Sequence, residues 1–310
     1  MTKKILALCG GVGGVKLALG LSKVLPDKDL VILVNTGDDF VYHGLSISPD
    51  LDTVMYTLAG VNDEIKGWGI QDETWRFLNA LKKFEDESWF QLGDKDLLTH
   101  IERTFLLKEG VSLSKVTNKL TYNFGVYSSI FPMSETPVST HLSTNKGEMS
   151  FQEYFVKFQC KPIVSDIQYL NNKEAKIPEL LEEMIVNEIF SGVIICPSNP
   201  YLSIDPILSI EPIKNFLLNR KIPVLAVSPM INSLSVKGPT VKIILELGKT
   251  PSTEFLLGHY EEIIDFLILD ERDKFSDSKY TNIQQVYTNI LMKNIEDKKL
   301  LAEFCLELLQ

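Results

Sequence analysis

The chain has 310 residues, 45% of them hydrophobic, and carries a formal charge of -10 at neutral pH, with a mean hydropathy of +0.05 and a pI near 5.0. This is enough chain for one large α/β domain or two smaller ones around a packed core. The acidic balance argues against nucleic acid or an anionic membrane as the main partner, while a local basic pocket for phosphate stays compatible with it.

Cys9, Cys160, Cys196 and Cys305 are too widely spaced for a zinc cluster or a disulfide framework and read as reduced core thiols. Met1-Thr2-Lys3-Lys4 runs into only about six apolar residues, too few for a secretory leader. No stretch approaches the roughly 18 apolar residues of a membrane helix. The expected address is the cytoplasm.

In chain order, the first element is a buried strand, Ile5-Leu6-Ala7-Leu8-Cys9, which stops in Gly10-Gly11-Val12-Gly13-Gly14 and restarts as a helix through Leu17, Leu19, Leu21 and Val24. A bare strand-to-helix turn needs one or two glycines rather than four. The tract leaves backbone N–H groups uncovered at the positive end of a helix dipole, a place for phosphate. It departs from the standard patterns. Lys16 stands between Val15 and Leu17, so the Gly-Lys-Ser/Thr of a Walker loop is missing, and in G-x-G-x-x-G only Gly11 and Gly13 fit, with Lys16 at the third position.

Residues 30–35 form a second strand, followed by Asn35-Thr36-Gly37-Asp38-Asp39. The two aspartates suit a ribose hydroxyl, a magnesium ion beside a diphosphate, or turn hydrogen bonds alone. In Ile47-Ser48-Pro49-Asp50-Leu51-Asp52-Thr53, proline stiffens the loop and one of Asp50 and Asp52 is expected to cap a helix from Thr53, leaving the other carboxylate unexplained. Helical periodicity then takes over through Leu78, Leu81 and Phe84 and again through Leu97, Leu98, Ile101, Phe105 and Leu106. The chain therefore reads as a single α/β domain, 1–310, with a mainly helical insertion at about 51–124. Trp68, Trp75 and Trp89 fall in the insertion, where they serve core packing or stack on a flat ligand. The polar, β-branched run 136–150 suggests a hairpin about Asn145-Lys146-Gly147.

Further strands are expected at 162–167, 192–196, 223–227 and 266–269. Alternation with helices predicts a Rossmann-like three-layer fold with a mainly parallel sheet, whose ligands lie beyond the carboxyl ends of the strands. There the 192–196 strand gives Cys196-Pro197-Ser198-Asn199-Pro200, a stiff loop offering Ser198 and Asn199, and then Ser203-Ile204-Asp205-Pro206 opens a helix. After 223–227 come Ser228-Pro229 and Lys237-Gly238-Pro239, whose lysine suits phosphate or solvent. His43, His100, His141 and His259 show no metal-ligand spacing, and only His43 lies near the acidic loop. A last helix carrying Leu300, Leu301, Phe304, Leu306 and Leu309 packs back on its own sheet or supplies a dimer face.

The glycine tract with Val15-Lys16-Leu17, Val34-Asn35-Thr36-Gly37-Asp38-Asp39-Phe40, the Ser48-Pro49-Asp50-Leu51-Asp52-Thr53 block, Gly67-Trp68-Gly69, Glu73-Thr74-Trp75, Leu92-Gly93-Asp94-Lys95-Asp96, Phe151-Gln152-Glu153-Tyr154-Phe155-Val156, Pro197-Ser198-Asn199-Pro200 and Lys237-Gly238-Pro239 together resemble the 2-phospho-L-lactate transferase family of CofD type. The resemblance implies a late step of coenzyme F-420 biosynthesis. In it a 2-phospholactyl or phosphoenolpyruvyl group passes from a guanosine diphosphate donor to the ribityl hydroxyl of 7,8-didemethyl-8-hydroxy-5-deazariboflavin (Fo), GMP leaves, and magnesium assists. It also implies Fo contacts at Asp50 and Lys95, small molecules as the substrates, and a homodimer. On this reading Gly10, Gly11, Gly13, Gly14, Lys16, Ser198 and Asn199 hold the nucleotide. Asp38, Asp39, Asp50 and Asp52 are the metal candidates, and Asp50 binds the metal or orients the hydroxyl and takes its proton.

The chain departs from the family pattern at Val12, where threonine is usual, and at Asn232-Ser233, where two glycines are usual. Ser46 and Glu135 also stand where histidine and aspartate are expected. A competing expectation is a non-catalytic nucleotide-sugar-binding regulator of the related gluconeogenesis-factor type, which the Ser-Pro-Asp-Leu-Asp-Thr and Gly-Trp-Gly blocks disfavour. A nicotinamide dehydrogenase is disfavoured by Lys16 at the third glycine position.

Overall fold

Seven parallel strands make the central sheet of the protein, a computed structural model that describes residues 3–83, 89–273 and 278–310. They are β1 Lys4–Cys9, β2 Leu30–Val34, β3 Ser129–Pro132, β4 Phe190–Ile195, β5 Val224–Val227, β6 Phe266–Asp270 and β7 Gln284–Thr288, in the spatial order β7-β6-β5-β4-β1-β2-β3. Every neighbouring pair is parallel. Leu8 of β1 pairs with Leu33 on one side and Ile195 on the other. The chain builds outward from β1 to β3, returns to lay β4 against the free side of β1, and then builds the other way. That reversal leaves a crevice beyond the carboxyl ends of β1 and β4, the place where open α/β sheets bind ligands.

Side chains alternate between two cores, as strand geometry requires. Leu6 and Leu8 join Leu33, Val193 and Ile195 on one face, and Ile5, Ala7 and Cys9 join Ile32, Val34 and Ile194 on the other. Helix α1, Val15–Val24, covers the second face together with the last helix, Ile295–Leu308. The two helices cross closely. A Cβ on Gly20 would strike the Lys298 carbonyl and stand 3.3 Å from Ala302 Cβ. The last helix thus spends its buried face, Leu301, Ala302 and Cys305, on its own chain.

The strand expected at 162–167 exists as Val164–Leu170, but it belongs to a separate antiparallel sheet with the hairpin Ser139–Thr144 and Gly147–Ser150. Its place in the parallel sheet is taken by β3. Four helices fill the expected insertion: α2 Pro49–Ala59, α3 Arg76–Leu81, α4 Asp96–Lys108 and α5 Leu113–Asn123. Met55 and Tyr56 of α2 with Val116 and Leu120 of α5 form a small core of their own, against which Leu106 and Leu107 of α4 pack. Phe84 lies outside the described residues. No helix among the described residues is long and apolar enough to cross a membrane.

Candidate functional site

The glycine tract folds against the loop that leaves β4. None of its four glycines has a positive φ. They are required by contact instead. A Cβ would fall 2.5 Å from Ser203 at Gly10, 2.8 Å from the Pro197 carbonyl oxygen at Gly13, on the Asp50 carboxylate at Gly11, and on the Ser198 hydroxyl at Gly14. The Gly10 N–H donates to Ser198 Oγ at 3.2 Å, and the Gly11 N–H faces Asp50. Two of the expected phosphate donors are therefore committed inside the protein. The N–H groups of Val12, Gly13 and Gly14 donate to nothing among the described residues, and they open the amino end of α1.

Helix α2 starts at Pro49, not at Thr53, because proline is ready-made for the first helical position. Asp50 and Asp52 therefore lie within the first turn and neither caps it. Ser48 holds the capping position, but its hydroxyl donates to Asp39 Oδ2 at 2.7 Å. Residues two apart on a helix point about 200° apart, so Asp50 and Asp52 serve opposite sides.

Asp50 turns to the glycine tract. The Nδ2 of fully buried Asn35 donates to its Oδ2 at 2.9 Å, and Asn35 Oδ1 accepts the Gly37 N–H at 2.8 Å. Burial pushes the Asp50 carboxyl up to about 6, with Asn35 and the Gly11 N–H holding it back. Asp38 stands beside it, raised first by burial and then by the Asp50 charge, with an opposing hydrogen bond from Asn35. Burial also raises Asp39, against the pull of Ser48 and Arg103. Asp38 Oδ1 and Asp39 Oδ1 are buried without a hydrogen-bond partner. Clustered carboxylates with orphaned oxygens are the hard oxygen donors that a magnesium ion takes.

Asp52 turns the other way. Both of its oxygens accept from the Arg103 guanidinium, one of them at 3.0 Å. His100 bridges onward, with Nδ1 3.7 Å from Asp52 and Nε2 3.3 Å from Asp96, and the Tyr56 hydroxyl donates to Asp96 at 2.5 Å. Asp52, Asp96 and His100 bring one ligand atom each within 4.8 Å of one another, so His100 does have metal-type neighbours. The spacing of Asp96 and His100, one helical turn apart on α4, was the signal for this. The group already contains a cation, however. Arg103 is 2% exposed in its side chain and also reaches the Ser46 carbonyl at 3.4 Å and His100 Nδ1 at 3.3 Å. A divalent ion there would face that fixed positive charge in a poorly screened interior. Asp52 therefore parts from the other three aspartates.

The remaining predicted residues divide between bracing and exposure. Ser198 is buried and braces Gly10. Asn199 Oδ1 accepts the N–H groups of Tyr201 and Leu202 at 3.0 and 3.1 Å, capping the turn Pro200–Ile204, while its Nδ2 is buried without a partner. Lys16 Nζ approaches the Met292 carbonyl at 3.5 Å.

Lys95 is exposed and donates from Nζ to the Gln71 carbonyl at 2.8 Å. Its neighbourhood is a reciprocal cap. Glu73 accepts the N–H groups of Lys95 and Asp96 at 2.6 and 3.2 Å at the start of α4, and Asp94 accepts those of Arg76 and Phe77, both at 3.0 Å, at the start of α3. The Glu73-Thr74-Trp75 and Gly93-Asp94-Lys95-Asp96 blocks thus have a structural duty. Trp89 stacks on Phe40 at 5.9 Å in an apolar cluster with Tyr42, whereas Trp68 and Trp75 flank the Lys66 ammonium at 5.6 and 4.9 Å. His43 occupies an exposed turn with φ 49°. Asn232 and Ser233 take φ 50° and 59°, the left-handed geometry that glycines would supply, so the hairpin turn between Met230–Ile231 and Leu234–Ser235 is kept.

Residues 5–303 match the family described as 2-phospho-L-lactate transferase CofD. The chain is 36% identical to the 2-phospho-L-lactate transferase of Methanosarcina acetivorans over 302 residues, covering 97% of each protein. It is 35% identical to the protein of the same name from Methanocaldococcus jannaschii over 309 residues, covering 97% of this chain and 98% of that one. Among solved structures, a member of the UPF0052 family from Bacillus halodurans matches with a TM-score of 0.65 over 99% of both chains at 14% identity. That likeness is one of fold.

Proposed function

The chain belongs to the 2-phospho-L-lactate transferase family of CofD type, and from that premise we propose that it moves a 2-phospholactyl or phosphoenolpyruvyl group from a guanosine diphosphate donor to the primary ribityl hydroxyl of Fo. The observation that carries this reading is the Asp50 carboxylate set against Gly11, beside the free N–H groups of Val12, Gly13 and Gly14. The amides and Lys16 hold the donor diphosphate. Asp50, ionised at neutral pH although lifted to about 6, orients the acceptor hydroxyl and takes its proton. A bond forms from that oxygen to the distal phosphorus, the bond from this phosphorus to the bridging oxygen breaks, and the oxygen leaves on GMP. Alignment and charge cancellation do most of the work in such transfers.

Asp38, Asp39 and Asp50 would hold magnesium, which when bound offsets charge on the diphosphate oxygens. Lys95, an exposed residue, and Asp50 contact Fo. The reading also includes a cytoplasmic homodimer with small-molecule partners only, and a sizing column tests the dimer. The decisive experiment incubates the protein with Fo, magnesium and each guanosine donor, and identifies products by mass. GMP and a phosphodiester of Fo are expected with one donor. No product from either, together with unchanged Fo fluorescence on mixing, would overturn the reading.

A further inference from the structure

Three lysines from three separate elements lie along helix α1 and the glycine turn that precedes it. Lys16 lies in the first turn of α1, Lys237 in the loop after β5, and Lys298 on the last helix. A Cβ placed on Gly67 would stand 2.7 Å from Lys237 Nζ and 3.0 Å from Val12 Cγ1, so this ammonium sits beside the residue whose N–H is free. The Lys298 backbone lies against Gly20, one helical turn beyond Lys16 on the same face of α1. Burial, and after it the charges of Lys237 and Lys298, lower the pKa of Lys16. Among the described residues none of the three is paired with a carboxylate, whereas the adjacent Lys299 is paired with Glu296 at 3.1 Å. In a chain with a net charge of -10, three mutually repelling lysines without a counter-ion create a local field of opposite sign, which draws and holds an anion.

We propose that Lys16, Lys237 and Lys298 together form the seat for the nucleotide's own phosphate, the one that departs as a monoester. The inference rests on the transferase reading and adds Lys237 and Lys298 to it. When the bridging bond breaks, its electron pair stays on the leaving oxygen and the departing monoester gains negative charge. Ammonium groups fixed at that point offset the charge as it develops.

Isothermal titration of the full chain with GMP, with guanosine and with inorganic pyrophosphate tests the seat, using wild type, Lys237→Ala, Lys298→Ala, the double variant and Lys299→Ala. A lost charge-assisted contact of this class weakens binding by about tenfold or more. GMP affinity is therefore expected to fall about tenfold for each of Lys237→Ala and Lys298→Ala and further for the pair. Lys237→Arg should keep most of it. Guanosine, lacking the phosphate, should bind all variants alike, and Lys299→Ala should bind GMP like wild type. GMP binding by the double variant within about twofold of wild type would overturn the seat and leave the transferase reading standing. Lysine-dependent pyrophosphate binding without any GMP binding would support an anion seat and sink the guanosine reading. Binding of neither GMP nor pyrophosphate by wild type would overturn both.

Discussion

Replacing Arg103 with methionine removes the guanidinium that faces both oxygens of Asp52 while keeping most of the side chain's length. The Asp52 side chain is 6% exposed, so water does not take the vacated place. Stranding one partner of a buried pair costs about 3–5 kcal/mol, against a total stability of roughly 5–15 kcal/mol. Protonation sets a ceiling on the loss. Placing a proton at pH 7 on a carboxyl of ordinary pKa about 3.9 costs about 4 kcal/mol, and at pH 5 only about 1.5 kcal/mol.

The direction with pH follows from where the proton sits. In the wild type burial raises the Asp52 pKa, and Arg103 and after it His100 pull it down, so without Arg103 the folded-state value climbs further. The folded variant then binds a proton that its unfolded chain has released. Its stability is fullest below the ordinary carboxyl pKa and declines as pH rises toward the new folded value. Urea unfolding of wild type and Arg103→Met should show a deficit of about 3–4 kcal/mol at pH 7 that shrinks below about 2 kcal/mol at pH 5. Asp52→Asn combined with Arg103→Met strands no carboxylate and should recover part of the loss. A deficit that ignores pH, or none at all, would refute the account of this pair.

Asp50→Asn should lower turnover by about 10²–10⁴-fold, the usual worth of a positioned base, and steady-state kinetics showing an unchanged rate would remove Asp50 from that role. Asp38→Asn should weaken magnesium binding by about tenfold or more, some 1.4 kcal/mol, while Asp52→Asn leaves it within about twofold. Titration giving the reverse order would move the ion to the Asp52, Asp96 and His100 group. Glu73→Ala deprives the first turn of α4 of its carboxylate acceptor and should cost about 0.5–2 kcal/mol in urea unfolding, as caps do. An unchanged midpoint would show that Lys95 and Asp96 find other acceptors.

What could be read in advance was what the chain states locally. β1, β2, β4, β5 and β6 are near-continuous apolar runs because neighbours cover both faces. β3 escapes notice because it spans four residues and ends in Pro132, and β7 because it is an edge strand of glutamines and threonine around Val286 and Tyr287. The run at 162–167 has strand character, but nothing in it specifies which sheet receives it. The glycine tract and Asp50 were legible for the same local reason. Arg103 was not, since it lies 51 residues from its partner and reads as one more charge on an amphipathic helix. Asn35 stood in plain view, yet its grip on Asp50 appears only when β2 and α2 are set side by side.

The acidic block shows why residue types alone group things wrongly. Asp38, Asp39, Asp50 and Asp52 look like one metal set until the start of α2 is fixed, and four residues of difference in that start decide which way each carboxylate points. Once α2 begins at Pro49, the first turn divides its charges between two opposite solutions. Asp52 is neutralised permanently by Arg103 and holds α2 to α4. Burial raises both Asp50 and Asp38, and the Asp50 charge raises Asp38 further, a cost that an incoming cation or proton donor would relieve. Beside the glycine turn Lys16 and Lys237 present the mirror problem, positive charge without a carboxylate partner among the described residues. On the proposed reading, a diphosphate lying across the turn would meet both needs in one orientation, with its nucleotide phosphate at Lys237 and its distal phosphorus at Asp50. The polarity of the site would thereby select which phosphorus the acceptor hydroxyl reaches.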